Sequence, residues 1–119
     1  MEDNQMQSQA SIVPILAGKT EEWKQFLAEL TGPRHKEHEA SRLRAGVKRE
    51  YVYLQSAPMR DIVVIYDEAD DLDRMYEVLA TSDDSFDVWF RQRIRALHGF
   101  DLSPSAPPSE VFLQWDAPK

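Results

Sequence analysis

Val47 to Ser56 (VKREYVYLQS), the connection Ala57-Pro58-Met59-Arg60, and Asp61 to Glu68 (DIVVIYDE) form the stretch on which the fold turns. The first segment is rich in β-branched and aromatic residues, which pack well on a pleated surface, so it reads as a strand. Pro58 suits the second position of a tight turn because its ring already holds the φ that the turn needs. The second segment carries an unbroken Ile-Val-Val-Ile-Tyr run, a pattern of burial on both faces. The two strands are expected to form a hairpin. Side chains alternate along a strand. Glu50, Val52 and Leu54 therefore share one face, and Arg49, Tyr51, Tyr53 and Gln55 share the other.

Toward the N-terminus, Ile12, Val13, Ile15 and Leu16 predict a strand over residues 10–17, ended by Gly18. Pro14 lacks a ladder donor, which confines it to an edge or a bulge. Thr20 can cap a helix whose apolar stripe is Trp23, Phe26, Leu27 and Leu30. Gly32-Pro33 interrupts that helix. A second helix is expected from Pro33 to Ala45, closed by Gly46, with only Ala40, Leu43 and Ala45 apolar. Toward the C-terminus, Asp70 or Asp71 can cap a helix carrying Leu72, Met75, Tyr76 and Leu79. Ser82-Asp83-Asp84 ends it and caps another, whose stripe is Phe86, Trp89, Phe90, Ile94 and Leu97. Asp87, Arg91 and Arg95 read as a solvated line worth only ~0.2–0.5 kcal/mol per favourable pair. His98 reads as a C-terminal residue favoured by the helix dipole, and Gly99 stops the helix. Residues 101–109 read as an extended linker, and Glu110 to Trp115 (EVFLQW) as a final strand. Residues 1–9 are expected to be a disordered tail and 10–116 a single domain.

The element order gives an α+β class: a ferredoxin-like βαββαβ domain with a four-stranded antiparallel sheet and helices on one face. Each strand carries apolar residues of both parities, such as Ile12 with Val13 and Phe112 with Leu113. A sheet apolar on both faces needs a second cover. The economical cover is another copy of the chain, so a homodimer with sheets packed face to face is expected.

The chain has 119 residues, an ordinary size for one domain. It holds 14 basic and 21 acidic residues, a net charge of −7, and no cysteine. That balance argues against nucleic acid and anionic membrane surfaces as partners. The lack of cysteine excludes disulfides, thiolate nucleophiles and Cys-ligated zinc. No apolar run approaches the ~20 residues that span a bilayer. The polar N-terminus does not look like a signal peptide, so a cytoplasmic protein is expected. No Ser-His-Asp order or nucleotide motif is evident. Gly18-Lys19-Thr20 lacks the earlier glycine of a phosphate loop, and no cofactor is expected.

The segments GKTEEWKQFLAELTGPR, SRLRAGVKREYVYLQ, SDDSFDVWF and LHGFDL resemble an uncharacterised family of small bacterial proteins in the dimeric α+β barrel superfamily. That superfamily includes cofactor-independent monooxygenases, muconolactone isomerases and rhamnose mutarotases. Tyr53-Leu54, Ala80-Thr81-Ser82-Asp83, Trp89-Phe90 and Glu110-Val111-Phe112 are similar to the second half of the mutarotases. The likeness implies a dimeric barrel whose interior is lined by the Glu50 face. The mutarotase catalytic histidine falls near Thr31 and its strand tyrosine at Glu50. His35, one helical turn after Thr31, is the nearest substitute.

The densest polar cluster is Arg34-His35-Lys36-Glu37-His38-Glu39. On a helix, Arg34, His38 and Arg42 share a face. The cluster reads as a solvated helix face or as an anion or sugar site at the barrel rim. A metal site from His35, His38 and Glu39 has the weaker claim, because two histidines at i, i+3 lack a zinc signature. Glu50 sits among apolar strand residues, where a carboxylate needs a partner. It reads as a general base or a ligand acceptor, or as the partner of Arg34, Arg42 or Arg49. Trp89 reads as core or as a stacking platform for a ring, as does Trp115. The expected function is binding of a small organic molecule between helix 33–45 and the sheet. Cofactor-independent isomerisation, mutarotation or oxidation would follow, with Glu50 and His35 catalytic and Arg34, His38, Arg42 and Trp89 binding. The alternative is a non-catalytic dimerisation or ligand-sensing module.

Overall fold

The computed structural model describes residues 6–106 and 109–119. Its elements run β1 (Gln7–Pro14), α1 (Thr20–Thr31), α2 (His35–Arg44), β2 (Val47–Ser56), β3 (Asp61–Ala69), α3 (Leu72–Thr81) and α4 (Ser85–His98). The class is α+β, with a three-stranded antiparallel sheet in the order β1-β3-β2 among the described residues. The hairpin forms as its sequence requires, with Ser56 opposite Asp61 and Glu50 opposite Asp67.

β3 is central, and its alternation defines the two faces. Val63, Asp67 and Ala69 are buried on one side, beneath the helices. Ile62, Val64 and Tyr66 point the other way, alongside Tyr51 and Tyr53 of β2 and Ile12 of β1. The main core joins Ile15, Trp23, Phe26, Leu30, Val63, Phe86, Phe90 and Leu97. A smaller core joins Ala45, Ala69, Leu72 and Met75 under α3.

The helix ends follow local chemistry. Asp71 accepts from Arg74 N at 3.1 Å and caps α3. Asp84 accepts from Phe86 N at 3.0 Å and caps α4. Gly99 closes α4 in the left-handed conformation, φ 81°. Thr20 does not cap α1; its hydroxyl donates instead to Asp61 Oδ2 at 2.7 Å, tying α1 to the start of β3.

Four expectations are corrected. β1 begins at Gln7 and ends at Pro14 rather than covering 10–17. Ladder pairing with β3 brings the polar Gln7–Gln9 into the sheet, and Pro14 sits at the strand end. Of the expected tail 1–9, residues 1–5 lie outside the described residues. Glu110–Trp115 forms no strand, so among the described residues the sheet has three strands and not the four of the expected ferredoxin-like fold. Its residues favour strand locally, but a strand also needs an edge to receive its ladder, and this segment meets none. Asp87 and Arg91 are not a solvated line. Asp87 is 3% exposed, hydrogen-bonded to Ser41 Oγ and 3.1 Å from Arg44 Nη2. Arg91 donates to the carbonyls of Leu79 and Ser82 at 2.9 and 2.6 Å, satisfying the C-terminal end of α3. Finally, the Glu50 face lies under the helices, because Glu50 shares the parity of the buried Asp67 and Val63. Tyr51, Tyr53 and Gln55 lie on the open face.

Candidate functional site

A cavity runs between the helices and the sheet in two lobes of about 300 and 290 Å³. Arg42, Glu50, Phe90, Ile94 and His98 line both. One lobe extends under α3, past Met75, Tyr76 and Leu79, to Ser11 and Asp67. The other extends under α1, past Trp23, Phe26 and Leu30. The walls are mostly apolar, and the polar groups gather on the floor, the usual build of a small-molecule site.

That floor begins with Glu50, whose side chain is 17% exposed. Arg42 Nε donates to Glu50 Oε1 at 3.1 Å. The Arg42 guanidinium lies 4.4 Å from the Phe90 ring centroid and donates to Ser41 Oγ at 3.2 Å. Stacking and the fixed fork of donors hold this arginine in place. His38 Nε2 stands 3.7 Å from the same Glu50 oxygen. The expected pairing of Glu50 with an arginine of the second helix is therefore present through Arg42.

Asp67 faces Glu50 across the ladder, on the same buried face of the sheet. Two carboxylates this close cannot both ionise cheaply. Burial, then the neighbouring Glu50, pushes the Asp67 carboxyl up to about 8. Burial also pushes Glu50 upward, but the Arg42 charge and hydrogen bond, with His38 and Asp67 beside it, outweigh burial and hold Glu50 well below the usual carboxylate range. The two shifts part the pair, Asp67 toward the protonated form and Glu50 toward the ionised one. Asp67 Oδ1 is buried and accepts no hydrogen bond among the described residues.

Two further groups face this floor. Tyr76 OH lies 3.4 Å from Ser11 Oγ, and burial raises the phenol above its ordinary range. His98 Nδ1 lies 2.9 Å from the Pro14 carbonyl. A carbonyl can only accept, so Nδ1 carries the proton and Nε2 is left as an acceptor. Burial lowers the His98 pKa, which favours the neutral ring.

The remaining sequence candidates are elsewhere. His35 is exposed, with Nδ1 3.0 Å from the Gly32 carbonyl in the α1–α2 turn. Arg34 binds Glu37 Oε1 at 2.8 Å and lies 3.9 Å over the Trp89 ring. Trp89 packs on Phe26 and Phe86 and lines neither lobe. The structure thus brings Arg42, His38 and Glu50 together and leaves His35, Arg34 and Trp89 outside. Among the described residues, no cluster of three His, Asp or Glu side chains is placed to hold a metal ion. No helix there is long and apolar enough to cross a membrane.

Asp67, Tyr76, Ser11 and His98 were missed from sequence. Asp67 had a readable signal. Six residues back from Ser56 is Glu50, and six on from Asp61 is Asp67, so the hairpin register alone sets them opposite. The other three come from separate elements, and only the packing unites them.

No family model, curated protein or solved structure matches this chain.

Proposed function

We propose that the protein binds a small organic molecule in the cavity between helices and sheet and isomerises it by proton transfer, without a cofactor. The observation that carries this reading is the buried Asp67 carboxyl, set opposite Glu50 with an orphaned oxygen on the floor of an apolar cavity. Glu50, ionised, is a base; Asp67, protonated, is an acid. Glu50 takes a proton from a carbon or hydroxyl of the bound molecule, and Asp67 returns one to a carbonyl or ring oxygen. The exchange balances with no oxidant, which favours isomerisation or mutarotation over oxidation. Arg42 offsets the Glu50 charge, and the apolar walls strengthen each electrostatic contact by excluding water.

The open sheet face carries Ile12, Val64, Tyr51 and Tyr53. We read it as the packing surface of a homodimer of the α+β barrel kind, which the sequence resemblance also implies. That face supports the second reading, a dimerisation or sensing module without catalysis.

The test is a melting screen against small cyclic hydroxy- and keto-compounds, including reducing sugars. Compounds that raise the melting temperature are then followed by NMR in D2O for exchange at carbon or for anomer interconversion. The expected result is exchange in the native protein, lost in Asp67→Asn and Glu50→Gln while binding persists. Binding without exchange leaves the sensing reading. No stabilising compound, or exchange unchanged in Asp67→Asn, overturns the catalytic one.

A further inference from the structure

The segment after α4 is tethered and then released. Leu102 packs against the main core, Ala106 N donates to Asp73 Oδ1 at 3.3 Å, and Ser109 Oγ donates to Gln9 Oε1 at 2.9 Å. Beyond Ser109 the chain carries Val111, Phe112, Leu113 and Trp115 with exposures of 62, 92, 81 and 74%. Such a run of large apolar side chains left in water marks a surface that belongs in a contact. It also has a strand's composition, with Val111, Leu113 and Trp115 on one parity.

The matching vacancy is on β1. Among the described residues β1 pairs only with β3, so its other edge offers free ladder groups, and Ala10, Ile12 and Pro14 are exposed. An open edge is a template for another strand. The arm cannot fill it within its own chain. Every pairing in this sheet is antiparallel. An arm rooted at Gln9 and running antiparallel passes only Ser8 and Gln7 before β1 begins, leaving Ala10 to Pro14 bare. Extended, the six residues 110–115 reach ~20 Å, enough to leave the protomer's own edge for a neighbour's.

We propose that Glu110–Trp115 is an exchanged arm: in a homodimer, each protomer lays it along the β1 edge of the other as the fourth strand. A two-fold axis then satisfies both exposed arms and both open edges with one contact. The exchange goes beyond face-to-face packing of the sheets, which requires no particular position for the arm.

The chain has no cysteine, so single cysteines report cleanly. Full-length Ala10→Cys and Gln114→Cys proteins are mixed, allowed to exchange, and treated with a short bis-maleimide. The expected product is a covalent pair containing one chain of each kind. The Ala10→Cys/Gln114→Cys protein should likewise link between chains. In parallel, full-length Leu113→Ser/Trp115→Ser should keep the native circular dichroism and weaken the dimer at least tenfold by sedimentation. Linkage within one chain overturns the proposal. A dimer that neither links nor weakens also overturns it, while leaving face-to-face packing in place. A native protein that sediments as a monomer at micromolar concentration overturns both.

Discussion

Glu50 and Asp67 occupy opposed positions on adjacent strands, two carboxyls side by side beneath the helices. The pair couples the fold to pH. The folded state keeps the Asp67 proton up to about 8, whereas an unfolded aspartate releases it near ~4. Between those values unfolding releases a proton, so stability falls as pH rises, by at most ~1.4 kcal/mol per unit. Glu50 works in the opposite sense. Its lowered folded pKa contributes stability above the ordinary glutamate range, lost as pH falls below it. The pair's contribution therefore peaks near pH 4–5 and declines toward 8. Urea denaturation from pH 5 to 8 should show a falling midpoint, with the slope reduced in Asp67→Asn. An equal slope in that variant defeats the assignment.

Arg42 is the counter-charge, 11% exposed at its side chain. Arg42→Met keeps an apolar stem against Phe90 but leaves Glu50 uncompensated. The expected loss is ~3–5 kcal/mol, the range for breaking a buried pair. Adding Glu50→Gln should recover part of it, because the stranded charge is then gone. A double-mutant cycle by urea unfolding measures this coupling.

Asp87 joins α4 to α2 through Ser41 and Arg44. Asp87→Ala should cost ~1.5–3 kcal/mol, as expected for hydrogen bonds to a buried charge. Arg95 and Asp101 form a pair with both side chains 70% exposed, and Arg95→Ala should change stability by less than ~0.5 kcal/mol. Similar effects from the two variants contradict the buried role of Asp87.

Gly46 and Gly99 both have φ near +80°. A Cβ on Gly46 meets open space, while one on Gly99 comes within 3.2 Å of Leu16 Cδ2. Gly46→Ala should cost ~1–2 kcal/mol from backbone conformation alone. Gly99→Ala should cost more, because Leu16 must also give way. Equal melting temperatures for the two variants would refute the contribution of that contact.

The helices and the hairpin were legible because their signals are local: apolar spacing, Pro58, and the stops at Gly46 and Gly99. The pairing of Glu50 with Arg42 was legible because a polar helix ending at Gly46 must fold back over the adjoining strand. The role of Asp87 was not. It lies at a spacing from Arg91 and Arg95 that suits a solvent-facing row, and its partners Ser41 and Arg44 are distant in sequence. Glu110–Trp115 has strand propensity, but nothing in those six residues says whether an edge is within reach. His98 had a sound local reading as a helix-end residue. Its place at the cavity depends on the Pro14 carbonyl, 84 positions away.

One consequence follows from how α2 is attached. Its only fully buried side chain is Ser41, and its ties to the rest of the protein are mainly polar: Arg42 and His38 to Glu50, Ser41 to Asp87, and Arg44 to Asp84 and Asp87, with Arg42 also stacked on Phe90. Lifting this helix exposes little apolar surface and breaks mainly charged contacts. Local unfolding favours segments of that kind. The α2 amides should therefore exchange with solvent deuterium earlier than those of α4, and faster still in concentrated salt. The same excursion separates Arg42 from Glu50, so the proton on the carboxyl pair and the opening of one helix form a single thermodynamic unit.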